Sequence, residues 1–229
     1  MTNTLTDRLQ QVADLVPACR CMADIGTDHG YLPMYLIEKG VTVRAIACDI
    51  HAGPLERAKE HLGSFPQRDR ISLRLGGGLS PLAQGEADGV TICGMGGLMI
   101  RQILEEEAEK AACLHWLVLQ PQNHVAELKQ FLSEHHFRIE KEVLSLDGGQ
   151  LYEILKAVPG EMPPLSLLDA EIGATADYRK DPLFPLHVRK LIRKRHFLVQ
   201  GVAEDTANER NRRKREQAVK ELEALEALL

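Results

Sequence analysis

The chain has 229 residues, with 28 Lys/Arg against 33 Asp/Glu for a formal net charge of −5, and 44% of its residues are hydrophobic. That length suits one α/β domain with a small appendage and leaves ample chain for a buried core. No long uncharged apolar run occurs, and residues 1–9 lack a basic stretch followed by an apolar one, so neither a membrane span nor a secretory leader is expected and the location expected is cytoplasmic.

In chain order, Leu5, Leu9, Val12 and Leu15 form an amphipathic stripe that predicts a first helix, stopped by Pro17. A strand over 21–25 and a helix over 31–39 follow, then a strand over 43–49 and a helix over 54–62 with Pro54 in its first turn. A third strand over 71–75 opens into Gly76-Gly77-Gly78-Leu79, and a fourth over 89–93 ends at Gly94-Met95-Gly96-Gly97 before a helix over 98–109. A fifth strand over 116–120 ends in Pro121-Gln122-Asn123, with a helix over 125–135 behind it. There the alternation breaks. Runs over 137–146 and 151–158 are joined only by Asp147-Gly148-Gly149-Gln150, too short for anything but an antiparallel hairpin. A parallel βα series closed by a hairpin is the Rossmann-like class I methyltransferase sheet, whereas an all-parallel dehydrogenase would place a helix between its last two strands.

The segment Pro159-Gly160-Glu161-Met162-Pro163-Pro164 marks a boundary, giving domains 1–160 and 161–229, the first expected to fold alone because the hairpin completes its sheet. Beyond it, Val188, Leu191, Ile192, Leu198, Val199 and Val202 keep one helical stripe, and Ala218, Val219, Leu222, Leu225 and Leu229 keep another. Two helices joined around Glu204-Asp205 predict an all-α helical hairpin of coiled-coil character. Charge divides with the domains: residues 1–175 carry 15 Lys/Arg against 24 Asp/Glu, net −9, and residues 176–229 carry 13 against 9, net +4. Arg189, Lys190, Arg193, Lys194 and Arg195 form one basic cluster, and Arg210, Arg212, Arg213, Lys214 and Arg215 a second. Charge alone leaves two readings open, a polyanion partner or a solvated face with internal ion pairs. The five cysteines, Cys19, Cys21, Cys48, Cys93 and Cys113, are odd in number and read as small buried hydrophobes under reducing conditions. Nine histidines show no ligand spacing, so no metal is expected.

The most informative stretch runs from Met22 to Leu32. An apolar strand ends at Asp24, turns on Gly26 and Gly30, and enters a helix at Tyr31. Missing side chains at the two glycines let a ligand approach the backbone, and Asp49, at the end of the next strand, can accept both ribose hydroxyls of an adenosine-type cofactor. The spacing is Asp-x-Gly-x-x-x-Gly, with an acid at position 28 where a dinucleotide site wants a small residue. That crowds out a pyrophosphate and suits a cofactor with a positive centre, S-adenosylmethionine.

Taken together, the 23–33 stretch, Gly94-Met95-Gly96-Gly97, Leu119-Gln120-Pro121 and the Asp147-Gly148…Tyr152-Glu153 hairpin resemble the bacterial tRNA (adenine(22)-N1)-methyltransferases in order and spacing through residue 158. The resemblance implies a class I S-adenosylmethionine domain joined to a helical tail, methylating N1 of an adenine in the D-loop region of tRNA. It implies a cofactor site of Asp24, Gly26, Thr27, Gly30, Asp49 and Ile50, continued by Gly76, Gly77, Gly78, Leu79, Gly94, Met95 and Gly96. N1 of neutral adenine needs no general base, and the product is cationic, so an acceptor near the exocyclic amine is expected to stabilise the transition state. Asp28 is the candidate acceptor, or else the cap of the following helix. His29 and Gln120 or Gln122 would orient the base; Tyr31 stacks on it or packs in its helix. Met95 would wall the methyl pocket, and Arg189, Lys190, Arg193, Lys194 and Arg195 would meet RNA.

Two departures stand out. The family usually has Gly-Asp-Gly-Leu where this chain has Gly76-Gly77-Gly78-Leu79, and Gln-Pro-Asn where this chain has Gln120-Pro121-Gln122 with Asn123 one place late. Either cofactor affinity is lower without the acid, or the amides of Gly78 and Leu79 carry recognition alone. Two other classes remain: a nicotinamide-dependent oxidoreductase, and an RNA-binding protein that has lost catalysis. The oligomeric state is open, with a monomer favoured.

Overall fold

A computed structural model describes residues 4–201 and 209–229. Seven strands form one sheet in the order β3-β2-β1-β4-β5-β7-β6: β1 (Cys19–Ile25), β2 (Thr42–Asp49), β3 (Ile71–Leu75), β4 (Gly89–Met95), β5 (Trp116–Pro121), β6 (Phe137–Asp147) and β7 (Gln150–Pro159). The first five are parallel, while β7 inserts antiparallel between β5 and β6. The expected hairpin is present, and its terminal strand lies inside the sheet edge rather than at it.

Strand alternation decides the two cores. Ala45 and Ala47 of β2, and Trp116 and Val118 of β5, face one side with α1 (Asp7–Leu15), α2 (Tyr31–Glu38) and the end of α3 (Ala52–Leu62). Their neighbours Ile46, Cys48, Leu117 and Leu119 face the other side with α4 (Gly97–Glu106), α5 (Ala108–Ala111) and α6 (Val125–Glu134). Period-2 runs buried on both faces are what a parallel sheet between helix layers requires. The helix expected over 98–109 breaks at Glu107, whose backbone leaves the helical region. Among the described residues all five cysteines are free, and no helix is long and apolar enough to cross a membrane.

After β7 the chain forms a short α7 (Leu167–Ile172), capped by Ser166, which no periodicity announced. The helices α8 (Phe184–Gly201) and α9 (Glu209–Glu226) pack together as the expected pair. Their joint around Glu204-Asp205, and Val202, lie outside the described residues. The tail is docked on the sheet edge through a third core, in which Leu144 of β6 packs with Ile172, Tyr178, Phe184, Val188, Leu191 and Leu225. A polar cluster seals the same junction. The Lys129 ammonium, 1% exposed, meets Glu142 at 2.8 Å and Glu153 at 3.0 Å and donates to Ala170 O at 3.0 Å. Tyr178 Oη donates to Glu153, and Thr175 N donates to Glu142. Residues 170–178 thus supply partners to Lys129 of α6, Glu142 of β6 and Glu153 of β7.

Candidate active site

A cleft of about 810 Å³ lies at the carboxyl ends of β1, β2 and β4, where the strand order reverses between β1 and β4. Ile25 at the end of β1 and Gly26 after it form its floor, with Asp49 at the end of β2 and Ile50 on one wall, Gly76 to Leu79 after β3 beside them, and Cys93 to Gly96 at the end of β4 opposite. Backbone geometry explains the glycines. Gly26 has φ +77°, and a Cβ there would overlap the Met95 methyl. Both Gly26 N and Thr27 N donate to Cys48 O, at 2.8 and 2.9 Å, so the turn is tied to β2. Asp49 Oδ1 accepts from His51 N at 2.8 Å.

Three residues of the expected cofactor set stand behind this wall. Asp24 is buried and accepts from Thr91 Oγ1 at 2.6 Å; burial pushes its carboxyl up, against that hydrogen bond. Thr27 is 1% exposed, and its hydroxyl stands beside Asp24 and, with Thr91, opposes that rise. Gly30 caps α2 in the left-handed region and packs toward Ala58 of α3. Gly77 does not have a positive φ; a Cβ there would stand 3.3 Å from Ile50 Cδ1.

On the substrate side several expectations change. Asp28 does not cap α2, whose first turn has no side-chain cap; its exposed carboxylate pairs with Arg57 at 3.0 Å and lies 3.4 Å from His29 Nε2. His29 and Tyr31 stack with His61 in a three-ring cluster with centroids 5.0–5.3 Å apart, a partner from α3 that spacing could not reveal. Gln120 is fully buried, with its Oε1 occupied by Arg8 Nη1 and by Gly94 N at 3.1 Å, so it is not free to orient a base. Beside it, Gln122 and Asn123 are exposed, and their carboxamides have no hydrogen-bond partner among the described residues. Asn123 Oδ1 lies 2.9 Å, and Gln122 Nε2 4.0 Å, from where Cβ atoms on Gly96 and Gly94 would stand. A backbone strained at His124, φ 49°, follows them.

Thiolate chemistry has no foothold here. Burial pushes the Cys48 thiol up to about 12 and the Cys93 thiol further, so both stay protonated. Among the described residues no His/Cys/Asp/Glu group could hold a metal ion.

In the tail, Arg195 is no surface cation. It is 3% exposed, with its guanidinium held between Glu171 and Glu221. Lys194 pairs with Glu171 at 2.9 Å. Arg189, Lys190 and Arg193 are exposed on α8, and among the described residues no carboxylate pairs with them. In the second basic cluster, Arg212 and Arg213 pair with Glu216 and Glu209.

Residues 5–155 match a family model described as a methyltransferase domain. A tRNA (adenine(22)-N(1))-methyltransferase of Bacillus subtilis is 39% identical over 157 residues, which are 69% of this chain and, at 66%, just under two thirds of that protein. The crystal structure of the B. subtilis m1A22 tRNA methyltransferase TrmK superposes with a TM-score of 0.87 at 31% identity, covering 98% of each chain. A Streptococcus pneumoniae protein in complex with S-adenosyl-L-methionine superposes with a TM-score of 0.84 at 31% identity, covering 99% of this chain and 100% of that one.

Proposed function

The chain belongs to the tRNA (adenine(22)-N1)-methyltransferase family, and on that premise we propose that it methylates N1 of an adenine in the D-loop region of tRNA, adenine 22 in the family, through the residues assigned below. The observation that carries the reading is the glycine-walled cleft, which ends at Gly94–Gly96 against the free carboxamides of Gln122 and Asn123.

The residues suit S-adenosylmethionine. Asp49 keeps one carboxylate oxygen for ribose hydroxyls, and the Gly76–Gly78 turn leaves room for a flat ring beside Ile50. When bound, the cofactor supplies a methyl group already activated on a sulfonium. The protein's task is therefore to place the adenine N1 in line at about 3–3.5 Å, without a general base. Met95 walls the methyl pocket, and Gly94 and Gly96 let the extruded base lie against backbone. Gln122 and Asn123 orient the base, Asp28 accepts from its exocyclic amine with Arg57 holding the carboxylate, and the His29–Tyr31–His61 stack offers a ring face beside the entrance.

Residues 1–160 form the catalytic domain and 161–229 the RNA-holding domain, with Arg189, Lys190 and Arg193 meeting phosphates. The reading places it in the cytoplasm, where tRNA is processed, and leaves the oligomeric state open with a monomer favoured. Primer extension on unmodified tRNA, incubated with the protein and S-adenosylmethionine, tests this: methylation of N1 blocks the Watson–Crick edge, and a new stop at adenine 22 is expected. Methyl incorporation without that stop would overturn the N1 assignment, and no incorporation would favour a non-catalytic RNA-binding protein.

A further inference from the structure

Arg8 lies in the first turn of α1, far in sequence from the Gly94 turn, yet two hydrogen bonds join them. Arg8 Nη1 donates to Gln120 Oε1, and the same oxygen accepts from Gly94 N at 3.1 Å. Gln120 is fully buried at the end of β5, and its Nε2 donates to Pro121 O at 3.1 Å. The Arg8 guanidinium also sits 5.4 Å from the centroid of the Tyr152 ring, which holds it from the β7 side. Among the described residues no carboxylate pairs with Arg8. Its charge is spent on one neutral carbonyl, which strengthens that bond. Gly94 has φ +76°, a backbone free of side-chain constraint, so its amide direction depends on the acceptor it finds.

We propose that Arg8 is a positioning residue for methyl transfer. Through Gln120 it fixes the Gly94 amide, and so the Gly94-Met95-Gly96 edge on which the target base is placed. The proposal rests on the reading of that edge as the transfer site. A structural tether from α1 to the sheet would lower stability and every kinetic parameter together. A positioning relay instead acts on the geometry of one edge, where a displacement of about 1 Å costs on the order of 10²-fold in rate.

The test uses the full chain with Arg8→Met, Arg8→Lys and Gln120→Met. In Arg8→Met the Gly94 amide resonance should shift and exchange faster with solvent. Its kcat should fall about 10–100-fold, while KM for tRNA and calorimetric affinity for S-adenosylmethionine stay near the parent values. Arg8→Lys, which still donates, should recover part of both signals. The Arg8→Met/Gln120→Met pair should be no worse than the worse single variant, because both cut one relay. An unmoved Gly94 amide in folded Arg8→Met, or in folded Gln120→Met should Arg8→Met not fold, overturns the relay. A moved amide with unchanged kcat also overturns the proposal, and it locates the fault in the reading of the edge. Loss of stability and cofactor affinity in step with kcat makes Arg8 a tether only.

Discussion

The Met95 methyl lies against the Cα of Gly26, in the space that any side chain on residue 26 would take. Gly26 follows β1 and Met95 ends β4, the strands that flank the reversal of strand order, so the floor of the cleft and its opposite wall are one contact. Gly26→Ala would impose a Cβ at φ +77° and push Met95 into the cleft. The left-handed backbone alone costs about 1–2 kcal/mol. A lower Tm and weaker S-adenosylmethionine binding are expected together; a lower Tm with unchanged affinity would mean that Met95 swings away and is no wall.

Asp49 makes a single hydrogen bond within its own turn, to His51 N. Asp49→Ala should weaken cofactor binding by about 1.5–3 kcal/mol through the missing charge-assisted bonds to the ribose. Calorimetry finding the parent affinity would remove Asp49 from the site.

Residue 77 is where the family acid is missing, and the backbone there is not in the left-handed region. Gly77→Asp therefore meets no conformational penalty, only the Ile50 Cδ1 at 3.3 Å, the end of an exposed and flexible side chain. Tighter cofactor binding with unchanged Tm is expected. Weaker binding would show that the adenine already occupies the place of the new carboxylate.

Lys129, Glu142 and Glu153 test the junction between the sheet and the tail. Burial opposes the Lys129 ammonium, but Glu153 and Glu142 outweigh it and hold its pKa above the ordinary 10.5. Burial likewise raises the Glu153 carboxyl, and the Lys129 charge overcomes this, so it stands below the ordinary 4.5. A raised lysine contributes stability that is complete below its unfolded pKa and is lost as pH rises through the folded one. A depressed glutamate contributes above its unfolded pKa and loses that contribution as pH falls through the folded value. Stability should hold between those limits and decline outside them. Lys129→Met leaves the buried Glu142 carboxylate and the half-buried Glu153 carboxylate without their ammonium and should cost about 3–5 kcal/mol at neutral pH. Urea unfolding across pH checks both points; a loss within about 0.5 kcal/mol, the ordinary size for a surface change, would contradict the burial of the network. Truncation after Val158, which also removes Ala170 and Tyr178 from around Lys129, should leave a cofactor-binding domain of lower Tm.

The strands, the closing hairpin and the turns that line the cleft were legible because their signals are local: period-2 runs set the strands, turn glycines mark where they end, and Asp49 closes a strand by count alone. The substrate side was not, because its contacts join distant segments. Gln120 carries the residue type of a base-binding group, and only burial beside Arg8 and Gly94 shows it occupied. Nor could any spacing bring His61 to His29 and Tyr31 across two elements. Arg195 shares its run of charges with Arg193, yet helical phase turns one inward to Glu171 and leaves the other in solvent.

That phase difference defines the test of the tail. Arg189, Lys190 and Arg193 lie on one exposed face of α8, and Lys190 and Arg193 border a groove with Leu146, Gly149 and Leu151 at the tip of the β6–β7 hairpin. The first 175 residues carry net −9, so phosphates must be drawn in locally, and this face gathers three exposed cations that no carboxylate pairs among the described residues. Reversing the three to glutamate should raise the apparent KM for tRNA and spare cofactor affinity. For every phosphate no longer neutralised, the log–log salt dependence of RNA binding should flatten by about 0.7–0.9. Arg195→Glu is a different experiment: it would set a third carboxylate beside Glu171 and Glu221 and should unfold the helical pair, seen as a weaker helical signal rather than as a change in salt slope. If the triple reversal left KM and slope unchanged while α8 and α9 stayed folded, the tail would not hold RNA through this face.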